Sequence, residues 1–168
     1  MSESILFGNR ESFGIELGFS KTPRKYKLCL WVQKKRIGSF TKSGELKYFI
    51  KAINIFIAHK DEFYLPVFET KTPSQIVQFL VNDLFALGKS NKKENHDEYE
   101  LRLKFYLFLG FQFSNDGSSI ILLYRNNIVQ FIYNPPKKAT AEDYAILFVD
   151  FSNVYNEFIN YCIANSYQ

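Results

Sequence analysis

The stretch Lys25-Tyr26-Lys27-Leu28-Cys29-Leu30-Trp31-Val32-Gln33-Lys34-Lys35-Arg36-Ile37-Gly38-Ser39-Phe40 decides how this chain is read. Tyr26, Leu28, Leu30 and Val32 alternate with Lys25, Lys27, Cys29 and Trp31, the two-residue period of a strand with one buried face. Lys34-Lys35-Arg36 then leads back into Ile37-Gly38-Ser39-Phe40, so the segment predicts a β-hairpin with a cationic tip.

Immediately afterwards the period changes. From Ser43 onward Leu46, Phe49, Ile50, Ile53, Phe56 and Ile57 recur at steps of three and four, which puts them on one stripe of a helix that needs a sheet to lie on. A second helix is marked by Thr72-Pro73-Ser74-Gln75, which offers an N-cap, a proline at the first helical position and a Gln for a capping box, with Ile76, Leu80, Leu84 and Leu87 as its apolar line.

Before the hairpin, Ile5-Leu6-Phe7 and Phe13-Gly14-Ile15-Glu16-Leu17 read as two short strands around a polar turn. After the second helix, residues 88–98 form a polar run expected to be a mobile loop, because it has nothing to bury. Alternation from Tyr99 to Leu109 predicts a strand, and Asn115-Asp116-Gly117 turns the chain into Ile120–Tyr124. Asn126-Asn127 turns it again into Ile128–Tyr133, completing a three-strand meander that Pro135-Pro136 terminates. At 140–152 strand and helix compete, with a helix after Ser152 or Asn153 that faces Tyr155, Phe158, Cys162 and Ile163 inward. The order of strands, helices, strands and helix predicts an α+β fold, a mostly antiparallel sheet with helices packed on one face. At 168 residues one domain spanning 1–168 is expected.

Composition narrows the chemistry. Phe and Tyr number 18 and 11, which predicts an aromatic-rich core. Cys29 and Cys162 are far apart among apolar neighbours, the pattern of buried free thiols rather than a disulfide. Met1-Ser2-Glu3-Ser4 has no signal-peptide character and no run of apolar residues is long enough to span a membrane, which points to the cytoplasm. Net charge is +4, a mild excess. Its distribution is uneven, because Lys21, Arg24, Lys25, Lys27, Lys34, Lys35, Arg36 and Lys42 form a basic strip without an acidic residue.

Each candidate chemistry lacks a part. His59 and His96 are isolated, one at a helix end and one in the polar run, so neither a metal cluster nor a base for a Cys or Ser nucleophile is offered. The glycines at 8, 14 and 18 lack the spacing of a phosphate or dinucleotide loop, and no cofactor is called for. Glu142, Asp143 and Asp150 are the only suggestion of acid–base work, and paired carboxylates are common on solvated surfaces. Trp31, Lys34, Lys35, Arg36 and Lys42 are the candidate partner-binding residues, because cations beside an aromatic suit an interface. The same residues suit phosphates and bases, which makes a small nucleic-acid-binding module the alternative, while lysines guarding a sheet edge would need no partner at all.

Ile5-Leu6-Phe7-Gly8-Asn9-Arg10-Glu11-Ser12-Phe13-Gly14-Ile15-Glu16, followed by the Trp31-Val32 strand and Ile37-Gly38, resembles the start of the immunity protein 42 family of bacterial polymorphic-toxin systems. The resemblance implies a cytoplasmic antidote that binds a cognate toxin domain, also in contact-dependent inhibition systems, and performs no reaction itself. It implies a protein partner and no membrane. Many antidotes to nucleases are acidic, whereas this chain is basic, so the resemblance leaves room for a toxin that is acidic or not a nuclease.

Overall fold

A computed structural model describes residues 4–82, 98, 104–105, 118–135 and 140–167. Four strands form the first sheet in chain order: β1 (Ser4–Gly8), β2 (Phe13–Phe19), β3 (Tyr26–Val32) and β4 (Lys35–Ile37). Three more, β5 (Ser119–Arg125), β6 (Ile128–Asn134) and β7 (Glu142–Leu147), form a second sheet, and neighbours pair antiparallel throughout. The helices are α1 (Leu46–Ala58), α2 (Pro73–Val77, which continues as a π-turn to Asn82) and α3 (Phe148–Ala164). The fold is therefore α+β as expected, with the antiparallel strands divided between two sheets.

The register explains the alternation seen in the sequence. Phe13, Ile15 and Leu17 of β2 stand opposite Val32, Leu30 and Leu28 of β3, and all six are buried. α3 lies on this face, with Phe158 edge-on to Phe7 at 5.6 Å and Phe151 against Phe13 at 5.2 Å. Phe131 of β6 joins the same knot, 5.7 Å from Phe13, so the two sheets and α3 share one core. α1 closes it through Phe49 on Phe158 at 5.6 Å and Phe56 on Phe151 at 5.7 Å, and Tyr155 donates to Asn54 Oδ1 at 2.8 Å across the two helices. Aromatic pairs of this kind contribute roughly 0.5–1.5 kcal/mol each beyond the area they bury.

Local signals translate directly. Thr72 accepts from the Gln75 backbone N–H at 3.3 Å while the Gln75 side chain accepts from the Thr72 N–H at 2.8 Å, the capping box written in the sequence. Asn126 and Asn127 both take left-handed φ values, 51° and 61°, as a two-residue hairpin turn demands.

The tail and the meander need correction. The segment at 140–152 is both things in succession, β7 to Leu147 and then α3, so the helix begins about a turn earlier than expected. Ile163 is exposed rather than inward, because Phe151, Tyr155, Phe158 and Cys162 set the buried stripe and Ile163 falls on its flank. Among the described residues β7 joins β5 and β6 as the third strand, and most of the alternating run before them lies outside those residues. Of that run only Glu98, in helix, and Lys104 and Phe105, in a turn, are described, and Phe105 is buried against Phe63 and Phe68. The 88–97 part of the polar run and the Leu84–Leu87 end of the second helix lie outside the described residues.

A candidate interaction face on the first sheet

Because strands alternate, the residues between the core positions of β2 and β3 point to the other side of the sheet: Gly14, Glu16 and Gly18 on β2, and Lys27, Cys29 and Trp31 on β3. Glu16 is only 7% exposed there, a carboxylate on the outward face that is nonetheless covered. A buried carboxylate is tolerated only where its oxygens are satisfied. Oε1 accepts from Ser4 Oγ at 3.0 Å and from Arg10 Nη2 at 3.3 Å, while Oε2 accepts from the Trp31 indole at 2.7 Å and faces the Cys29 thiol at 3.9 Å. Burial pushes the Glu16 carboxyl upward, and the bonds from Trp31 and Ser4 with the Arg10 charge outweigh it, so the group sits below the usual carboxylate range. Burial first and the Glu16 charge second push the Cys29 thiol up to about 12, which leaves it protonated and unreactive.

Arg10 comes from the β1–β2 turn. Asn9 shapes that turn by accepting from the Glu11 and Ser12 backbone N–H groups at 3.0 and 2.8 Å. The turn delivers the guanidinium over the Trp31 ring, 4.7 Å from its centroid. The β3–β4 turn is fastened to the first one. Gln33 and Lys34 both adopt left-handed backbone, φ 48° and 69°, without the help of a glycine. Their N–H groups donate to the Ser12 and Arg10 carbonyls at 2.7 and 2.8 Å, and the Gln33 amide reaches the Ala145 carbonyl at 2.8 Å.

The five residues expected at an interface fall in different places. Lys34 is at the tip and pairs with Glu11 at 2.9 Å, although it is 74% exposed. Lys35 turns to the core side of β4, where it pairs with Glu142 at 2.9 Å and lies over the Tyr133 ring, tying the two sheets together. Trp31 and Arg36 are a cross-strand pair on the outward face. Arg36 is exposed, and its side chain makes no ion pair or hydrogen bond among the described residues. Lys42 is exposed on the β4–α1 connection, apart from the hairpin. Sequence reasoning missed Arg10 and Glu16 as members of this cluster, although both stand in the motif that carried the family resemblance.

The catalytic alternatives do not assemble. Glu142 accepts from the Tyr144 hydroxyl at 2.5 Å and Asp143 from the Gln130 amide at 3.1 Å, on opposite faces of β7, while Asp150 sits in the first turn of α3. His59 faces Glu62 at 3.3 Å, and no group of three or more metal-ligating side chains gathers among the described residues. Cys29 and Cys162 are free, buried thiols as the sequence suggested. No described helix is long and apolar enough to cross a membrane.

Comparison with known proteins gives this face its context. No curated protein sequence matches the chain. A crystal structure of CdiI from Burkholderia dolosa is similar in fold, with a TM-score of 0.64 at 14% identity, covering 93% of this chain and 99% of the other. The model of the family described as immunity protein 42 matches residues 1–161, almost the full length. This chain therefore belongs to the immunity protein 42 family.

Proposed function

We propose that the chain neutralises a cognate toxin domain by stoichiometric binding, acting as one domain in the cytoplasm and performing no reaction on the toxin. The observation that carries this is the family match over residues 1–161. The likeness to CdiI supports a contact-dependent inhibition or polymorphic-toxin setting. A binding role also suits the described residues, whose candidate nucleophiles are buried thiols held protonated and whose carboxylates Glu142 and Asp143 are engaged separately.

Of the residues first considered, Trp31 and Arg36 are the ones available to a partner, with Lys42 at a distance along the chain. Lys34 and Lys35 already have carboxylate partners, which weakens the nucleic-acid reading of the same hairpin. Co-expression with the toxin-like domain encoded by the neighbouring gene should rescue growth, and the purified pair should co-elute in size-exclusion chromatography at equal stoichiometry. A neighbour without a toxin-like domain, or a pair that elutes separately, refutes the proposal.

A further inference from the structure

The outward face of the first sheet spends a buried carboxylate on holding other side chains in place. Both oxygens of Glu16 are used internally, and what they fix is an arginine held over an indole. The Arg10 side chain remains 53% exposed in that position. Arg36 stands cross-strand from Trp31 on the same face, and Lys27 follows further along β3. Leu6, 37% exposed on β1 beside Glu16, supplies an apolar margin. Among the described residues of this corner the other carboxylate, Glu11, is paired with Lys34.

We propose that this face, centred on Arg10, Trp31 and Arg36, is the toxin-docking surface, and that the toxin segment seated on it presents carboxylates. The inference rests on the reading of the chain as a toxin-binding immunity protein. Trp and Arg are the residue types that most often dominate binding energy at interfaces. Arg10 is held by its ion pair and its stack before any partner arrives, so less side-chain freedom is lost on docking. A guanidinium offers a planar fork that matches a carboxylate, and only Nη2 of Arg10 is committed to Glu16. The charge of the face also selects its occupant. A second copy of this chain meeting it about a two-fold axis would bring Arg10 and Arg36 against the same cations, a repulsive pairing, whereas an acidic segment is complementary. Glu16 acts here as a positioning residue and touches no partner.

The test uses the full chain and the purified toxin domain encoded beside it, with affinity and association rate measured over a range of salt. Arg36 makes no ion pair or hydrogen bond among the described residues, so Arg36→Glu, Arg36→Leu and Arg36→Lys should all keep the wild-type circular dichroism and melting temperature. Arg36→Glu is expected to weaken binding by at least about tenfold, with slower association that salt no longer modulates as strongly. Arg36→Leu should lose most of that factor and Arg36→Lys should retain most of the affinity. Ile55→Glu, in the apolar groove between α1 and α3, should bind like wild type. Binding of Arg36→Glu within about twofold of wild type overturns the surface. Equal binding of the Leu and Lys variants overturns the acidic occupant, and loss confined to Ile55→Glu moves the interface to the helices. If wild type itself forms no complex, the toxin-binding reading falls and this surface with it, whereas an intact wild-type complex indifferent to Arg36 sinks the surface alone.

Discussion

Replacing Trp31 with Phe deletes one atom group that matters to the fold, the indole N–H that donates to Glu16 Oε2 at 2.7 Å. The smaller ring also loses packing and weakens the Arg10 contact, so the pH dependence rather than the size of the loss isolates the hydrogen bond. A bond to a charged acceptor contributes about 1.5–3 kcal/mol, and the Glu16 side chain, 10% exposed, has little access to water as a substitute donor. A loss of about 2 kcal/mol is expected at neutral pH, or about 4–8 °C in melting temperature for a chain of this size. The pH dependence makes the assignment specific. Glu16 is held below its ordinary value in the folded protein, so its contribution is complete above the unfolded glutamate value of about 4.3 and disappears as pH falls through the folded-state value. Without the indole donor the folded-state value rises, and Trp31→Phe has less to lose on acidification. Urea unfolding at pH 7 and near pH 3 should therefore show a deficit that narrows in acid. A deficit under about 0.5 kcal/mol at pH 7, or one of equal size at both pH values, would refute the account of Glu16 as a carboxylate stabilised by Trp31.

Phe158→Ala should destabilise by about 3–5 kcal/mol in the same assay, because the ring is fully buried between Phe7, Phe49 and Tyr155 and its loss leaves a cavity. Thr72→Ala removes one half of the capping box and should cost about 1 kcal/mol, read as a shift of the urea midpoint without a change in slope. Lys34→Gly should raise stability despite breaking the exposed pair with Glu11, because glycine accepts the left-handed backbone at that position without strain. Native protein should react slowly with iodoacetamide at pH 8, since burial pushes both the Cys29 and Cys162 thiols up to about 12, and two thiols should label promptly in urea.

The parts of this fold that could be read in the sequence are those specified over a few residues. The α1 stripe, the Thr72 cap and the Asn126-Asn127 turn each carry their own period or turn chemistry and stand where they are expected, as does β3, whereas the return strand of its hairpin is Lys35–Ile37 rather than Ile37–Phe40 because the turn is made at Gln33-Lys34. The errors concern partners distant along the chain. Alternation is a property of one strand and does not name its neighbour, so β7 as the strand beside β6 could not be read from the meander's own residues, and residues 140–152 stayed divided between strand and helix. Ile163 is apolar and adjoins Cys162, but on a helix one residue is about 100° of rotation, enough to leave the buried stripe. The proposed interaction face was legible only in fragments. Trp31 and Arg36 could be suspected from their chemistry, but the burial of Glu16 depends on Ser4, Arg10 and Trp31 arriving from three separate segments, and nothing in a polar residue at a strand position announces that it will be covered.

The two turns at the end of the first sheet hold each other through main-chain bonds, the N–H groups of Gln33 and Lys34 on the carbonyls of Ser12 and Arg10. Main-chain bonds are indifferent to which side chains project from them. Positions 11 and 36 can thus exchange residues without disturbing the frame, so under the proposed docking surface the chemistry presented at this corner can change while the aromatic core stays as it is.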